Sequence, residues 1–188
     1  MHLSVRGISW LAIAGVASVL SACGSSAPAP GGAGAASGTP QSSASDSAHA
    51  GYIARGDRVC RAGAAAIAPL NARGAEIELR HRRVPGAAAL LVPVLRQGLR
   101  DYQVLFLRLK RIPAPPRDSA AVMAILAGLR RVGNDLERLT AALERGEYER
   151  VTAITSERDM DHARVSALEL EFGFKICGQP PAQPTPPG

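Results

Sequence analysis

The stretch DSAAVMAILAGLRRVGNDLERLTAALERG, residues 118–146, reads as one complete amphipathic helix. Val122, Ile125, Leu129, Val132, Leu136, Leu139 and Leu143 follow one another in alternating steps of three and four, the spacing of a bundle interface. Asp118 or Ser119 supplies an N-cap. Gly146 supplies the left-handed residue that stops a helix. One apolar seam on one helix has to be buried against other helices, so the rest of the chain should repeat the pattern.

It does so on both sides. Upstream, residues 85–112 carry Leu91, Leu95, Gly98, Tyr102, Leu105, Leu109 and Ile112 in the same steps. Val92, Leu99 and Phe106 widen that stripe, as expected of a helix with two neighbours. Pro93 sits in the first turns, where proline costs least, and the Pro113-Ala114-Pro115-Pro116 run ends the helix. Downstream, residues 147–172 give Val151, Ile154, Arg158, Asp161, Val165, Leu168 and Phe172, apolar at both ends and charged in the middle. Gly173 closes this helix, with Phe174 placed to fold back on it. The first helix is expected over residues 51–70, with Ile53, Cys60, Ile67 and Leu70 on one face. Gly56, Gly63 and Ala64 share that face and permit close approach. Pro69 should end or kink it, and a short amphipathic piece over residues 75–83 follows. Four helices with short connections define an all-α fold, an up-down-up-down four-helix bundle.

Ahead of the bundle stands Leu20-Ser21-Ala22-Cys23. A branched aliphatic residue, two small residues and a cysteine resemble the processing site of bacterial lipoproteins. Arg6 is the positive start of a signal peptide over residues 1–22, and Ile8 to Leu20 its apolar core. Those 13 residues are fewer than the roughly 20 a spanning helix needs. The resemblance implies cleavage before Cys23, lipid on Cys23, and a protein held on the outer face of the cell membrane. Residues 24–49 are almost all Gly, Ser, Ala and Pro, with Asp46 as their one formal charge, the composition of a disordered tether. Residues 50–177 are left as the bundle domain, and residues 178–188, with five prolines, as a disordered tail.

With Cys23 lipidated, Cys60 and Cys177 remain as a pair in an oxidising compartment. A disulfide between them is the first reading and two buried thiols the other. The topology agrees with the bond. Cys60 lies about 13 Å up the first helix at 1.5 Å per residue, and an extended segment after Gly173 climbs about 10–13 Å from the same end.

The net charge of +6 is unevenly spread. Residues 50–117 hold 13 Lys and Arg against 4 Asp and Glu, and the rest of the domain 8 against 11. Such a moment would orient the domain over an anionic surface. Arg80, His81, Arg82 and Arg83 form the densest basic run, readable as a contact for lipid headgroups or acidic cell-surface polymer, or as a solvated loop. Nucleic acid is excluded by export. Arg158 and Asp161, one turn apart in an apolar seam, read as a local pair that fixes register or as the lining of a ligand cleft. One acid-and-histidine pair, Asp159 and His162, falls short of the doubled motif of a bundle metal site, so no metal and no cofactor is expected. No nucleophile elbow or zinc-protease helix occurs, and the domain's histidines His81 and His162 form no catalytic set, so no enzyme is expected.

The run Tyr-Ile-Ala-Arg-Gly-Asp-Arg-Val-Cys-Arg from Tyr52, the proline break at residues 112–116 and the closing Phe-Gly-Phe-Lys-Ile-Cys-Gly resemble a group of uncharacterised actinobacterial lipoproteins. The shared features are cysteines and turn residues, and they bring no activity with them. The expected role is an envelope interaction or structural module whose partners are membrane lipid through Cys23 and an envelope protein or anionic polymer. The rival expectation is a solute- or cofactor-binding lipoprotein with its site near Arg158 and Asp161.

Overall fold

The computed structural model describes residues 41–81, 84 and 86–179. The expected signal peptide, Cys23 and most of the tether lie outside these residues, as does the tail beyond Gln179. Four helices follow in chain order: α1 Gln41–His81, α2 Val92–Lys110, α3 Ser119–Glu144 and α4 Tyr148–Phe172. Short 3-10 turns, Ala87–Leu91 and Pro116–Asp118, lead into α2 and α3. Each helix packs on the next, α1 on α2, α2 on α3 and α3 on α4, as an up-down-up-down bundle requires.

The first helix departs most from expectation. It begins at Gln41, inside the segment read as tether, and passes through Pro69 to His81, fusing two expected pieces into 41 residues. Proline removes one backbone hydrogen bond, here to the carbonyl of Ala65, and costs about 3 kcal/mol in a helix interior. Pro69 and Ala65 both face solvent, so water can take up the freed carbonyl. On the opposite face Gly74 is buried, Ile67 and Leu70 line the seam with α2, and Ile77 packs under the turn at Leu91. That contact holds the helix together past the proline. At the other end, His49 Nδ1–H donates to the Asp118 carboxylate at 2.8 Å and its ring lies tilted against Phe172, centroids 4.8 Å apart, which orders residues of low intrinsic preference.

The seams read in the sequence form the core in two clusters. One gathers Tyr52, Leu109, Val122, Ile125, Leu129, Val165 and Phe174 at the end where α1 begins. The other gathers Leu91, Leu95, Leu139, Leu143, Val151 and Ile154 at the far end. Asp118 occupies the N-cap position of α3 without capping it, because its carboxylate is committed to His49. Both glycine stops are Schellman motifs. Gly146 has φ 70° and Gly173 φ 104°. Glu147 N–H reaches Ala142 O at 3.0 Å and Phe174 N–H reaches Glu169 O at 3.1 Å. The second motif delivers Phe174, 4% exposed, into the core against Gly56.

Past Phe174 the chain turns back onto α1 and is fastened twice. Cys60 and Cys177 are bonded, with Cα atoms 5.4 Å apart. One turn earlier on the same helix, the buried Asp57 carboxylate accepts the backbone N–H groups of Lys175, Ile176 and Cys177 at 2.8–3.2 Å. The three amides form a nest, and the carboxylate fills it as a bound anion would.

Two outcomes follow for stability. Asp57→Ala should lower the free energy of unfolding by about 2–4 kcal/mol, because three amides, that of Cys177 buried and the other two partly so, lose a charged acceptor together. Urea unfolding at neutral pH measures this, and a loss under about 0.5 kcal/mol would show the nest to be incidental. Reducing the disulfide frees a loop of 117 residues, and the chain-entropy model sets an upper value of about 4–5 kcal/mol on the loss. Thermal melts with and without reductant measure it, after peptide mapping has confirmed one linked pair.

Candidate functional site

The two core clusters are separated by charged residues contributed by α3 and α4. Arg158 comes from the seam of α4 and is 8% exposed. Its guanidinium bonds the carboxylate of its neighbour Asp159, Nη2 at 2.6 Å and Nε at 3.2 Å. Asp161, only half-buried, is held by Arg164 at 3.1 Å and faces Arg131 of α3 at 3.8 Å. The expected one-turn partnership is thus redistributed. One turn on a straight helix brings 158 and 161 near each other, but Arg164, one turn further along α4, hydrogen-bonds the Asp161 carboxylate, and Arg131 of α3 adds a longer ion pair to it.

A second buried acid joins this belt. Asp135 of α3 is 6% exposed, with Oδ1 bonded to Arg138 at 3.0 Å. Its Oδ2 has no hydrogen-bond partner among the described residues. Burial raises the Asp135 carboxyl above the usual range against the opposing pull of Arg138. Arg138 also bridges to Glu157 of α4 at 2.9 Å. The belt is a set of acid–arginine pairs, and among the described residues no three His, Cys, Asp or Glu side chains are placed to hold a metal ion.

The basic run lies elsewhere. Arg80 closes α1 at the far end of the bundle and pairs with Glu76 at 2.6 Å. Arg82 and Arg83 fall outside the described residues, as does Cys23. From Gln41 to Arg80 the helix spans about 60 Å at 1.5 Å per residue, so the run sits at the end remote from any tether.

An open concavity of about 400 Å³ lies between α1, α3 and α4, lined by His49, Arg117, Asp118, Ile125, Leu168 and Phe172. A groove of about 90 Å³ runs between α1 and α2, lined by Ile67, Leu70, Gly74, Leu95 and Leu99 and floored by Leu136. Pockets for small molecules span about 300–1,000 Å³ with a few convergent polar groups, and this groove is both smaller and almost wholly apolar.

Glu169 was not part of the expected seam, yet it is 5% exposed. It lies beside Asp57, and Gly178 packs on it so closely that an added Cβ would stand 3.0 Å from Glu169 Cβ. Its carboxyl accepts no hydrogen bond from the described residues. Burial first, and then the Asp57 charge, push it up to about 7. The same desolvation raises the Tyr102 phenol, which donates to Leu129 O at 2.7 Å. The only sequence signal for Glu169 was its position four residues after Val165.

No family model, curated protein or solved structure matches this chain.

Glu169 makes stability depend on pH with a definite sign. Its folded value of about 7 stands above the ordinary 4.5, so the folded protein binds more protons than the unfolded one between those values. The contribution is fully present below pH 4.5 and is lost as pH rises through 7. Its full extent is up to about 3 kcal/mol. Glu169→Gln should flatten that fall and equal or exceed the parent in stability at pH 8.5. Urea unfolding at several pH values compares the two, and parallel curves would place the titration elsewhere.

Proposed function

We propose that this chain is a membrane-anchored extracytoplasmic lipoprotein whose helical bundle serves as an interaction or structural module of the cell envelope. The observation that carries the reading is Leu20-Ser21-Ala22-Cys23 at the close of a short apolar segment that begins after Arg6. The bundle is consistent with that setting. Its closure depends on a disulfide, a bond that lasts in oxidising compartments. Its seams are filled by side chains rather than arranged around a cavity. The rival, a ligand site around Arg158 and Asp161, has less support because Asp159, Arg131 and Arg164 already engage those two charges.

Cys23→Ser should shift the protein from the membrane fraction to the soluble one, or leave it with its signal peptide attached. Fractionation of cells, with mass spectrometry of the N-terminal peptide, distinguishes the two. A substituted chain that fractionates and is processed as the parent is would remove the basis of the proposal.

A further inference from the structure

The outward face of α2 combines exposed apolar side chains with basic ones. Arg100, Val104, Leu107, Arg108 and Arg111 recur at i, i+4, i+7, i+8 and i+11, one side of the helix. Val104 is 47% exposed and Leu107 48%. The arginines and the adjacent Lys110 are exposed, and among the described residues none of the four enters an ion pair. The one acid of α2 is Asp101, whose carboxylate is occupied by Gln97 at 3.0 and 3.1 Å. Elsewhere Arg80 is matched by Glu76, Arg96 by Glu144, and Arg145 and Arg150 by Glu147, while Arg55, Arg58 and Arg61 of α1 also enter no ion pair among the described residues but have no large apolar side chain exposed among them.

The topology brings this face toward the anchor end. Gly63 meets Leu105 and Gly98 meets Leu70, so α1 and α2 are antiparallel; the C-terminal half of α2 lies beside the middle of α1 and points toward the end where α1 begins. Only 17 residues separate Cys23 from Gln41. The helix α1 continues about two turns past His49, where the bundle ends. That extension stands in the way of an end-on approach, so a tethered bundle meets the surface with a side. Among the sides, the one with unmatched arginines around two exposed aliphatic residues has the composition of an interfacial helix on anionic lipid.

We infer that the outer face of α2, centred on Val104, Leu107, Arg108 and Arg111, lies on anionic phospholipid headgroups of the membrane that holds the protein. This rests on the lipoprotein reading for the nearness of the membrane. The contact itself needs only the face and the lipid.

The chain has two lysines, Lys110 beside this face and Lys175 on the loop held by Asp57 of α1, and they allow a test on the whole protein. The processed chain is reconstituted into vesicles of phosphatidylcholine alone or of phosphatidylcholine with phosphatidylglycerol. An amine-reactive acylating reagent is then applied, and both lysines are followed by mass spectrometry. The expected result is loss of Lys110 labelling relative to Lys175 on the anionic vesicles only. It should be restored by high salt and by the double substitution Arg108→Glu, Arg111→Glu. Equal labelling of the two lysines on both vesicle types overturns the inference. Protection of Lys110 that ignores lipid charge and grows with protein density also overturns it, assigning the face to a second copy of the chain. Flotation with the neutral vesicles reads the anchor separately: a chain that fails to float there defeats the lipoprotein reading, while Lys110 still reports on anionic vesicles added to it.

Discussion

The fold depends on one short segment, residues 174–177, being fastened to one turn of α1. Asp57 and Cys60, three residues apart, share a helix face, and both act on the same four residues. The carboxylate accepts three backbone N–H groups, of which that of Cys177 is buried, and the disulfide makes the return permanent. The rest of the bundle is a chain of neighbour contacts, α1 with α2, α2 with α3, α3 with α4. Such a row has two free edges. Fastening the end of α4 to the start of α1 brings the edges together and allows Tyr52, Phe172 and Phe174 to form one aromatic cluster.

The fastening carries a cost in charge. To bring Phe174 and Cys177 down onto α1, α4 must present Glu169 to the same enclosed space as Asp57. Asp57 has three amide donors and stays an acceptor; Glu169 has none and is pushed toward neutrality. The closed end is therefore tightest when Glu169 holds its proton. The far end has no such fastening. It relies on aliphatic packing around Leu143 and Ile154 and on surface ion pairs, each worth little on its own. Stability is concentrated where the chain would be tethered, and Arg80 sits at the less constrained end.

Between the two cores, acids and arginines alternate across α3 and α4. Arg158 and Asp135 are both mostly buried, and each finds a partner within three residues on its own helix. Local pairing of this kind satisfies charge without requiring one partner across the bundle.

The sequence by itself determined α2, α3 and α4 as helices and most of the apolar positions they bury. Steps of three and four through Val122 to Leu143 can be satisfied only by a helix buried along one side, and glycines at 146 and 173 can end a helix where few other residues can. Those are local facts of backbone geometry, and the bundle followed from them, as did the pairing of Cys60 with Cys177. Tertiary structure decided what local rules could not. Proline at 69 should break a helix taken alone, but solvent on one side and α2 on the other let α1 run through it. Residues 41–49 have the composition of a linker, yet His49 gains Asp118 and Phe172 as partners. On α4 the buried face drifts from the strict seven-residue repeat, as a straight helix of 3.6 residues per turn must. It therefore encloses Glu169, while Asp161 turns partly to water. Which charges end up opposite one another depends on that drift and on the neighbouring helix, and neither is written in any single stretch of sequence.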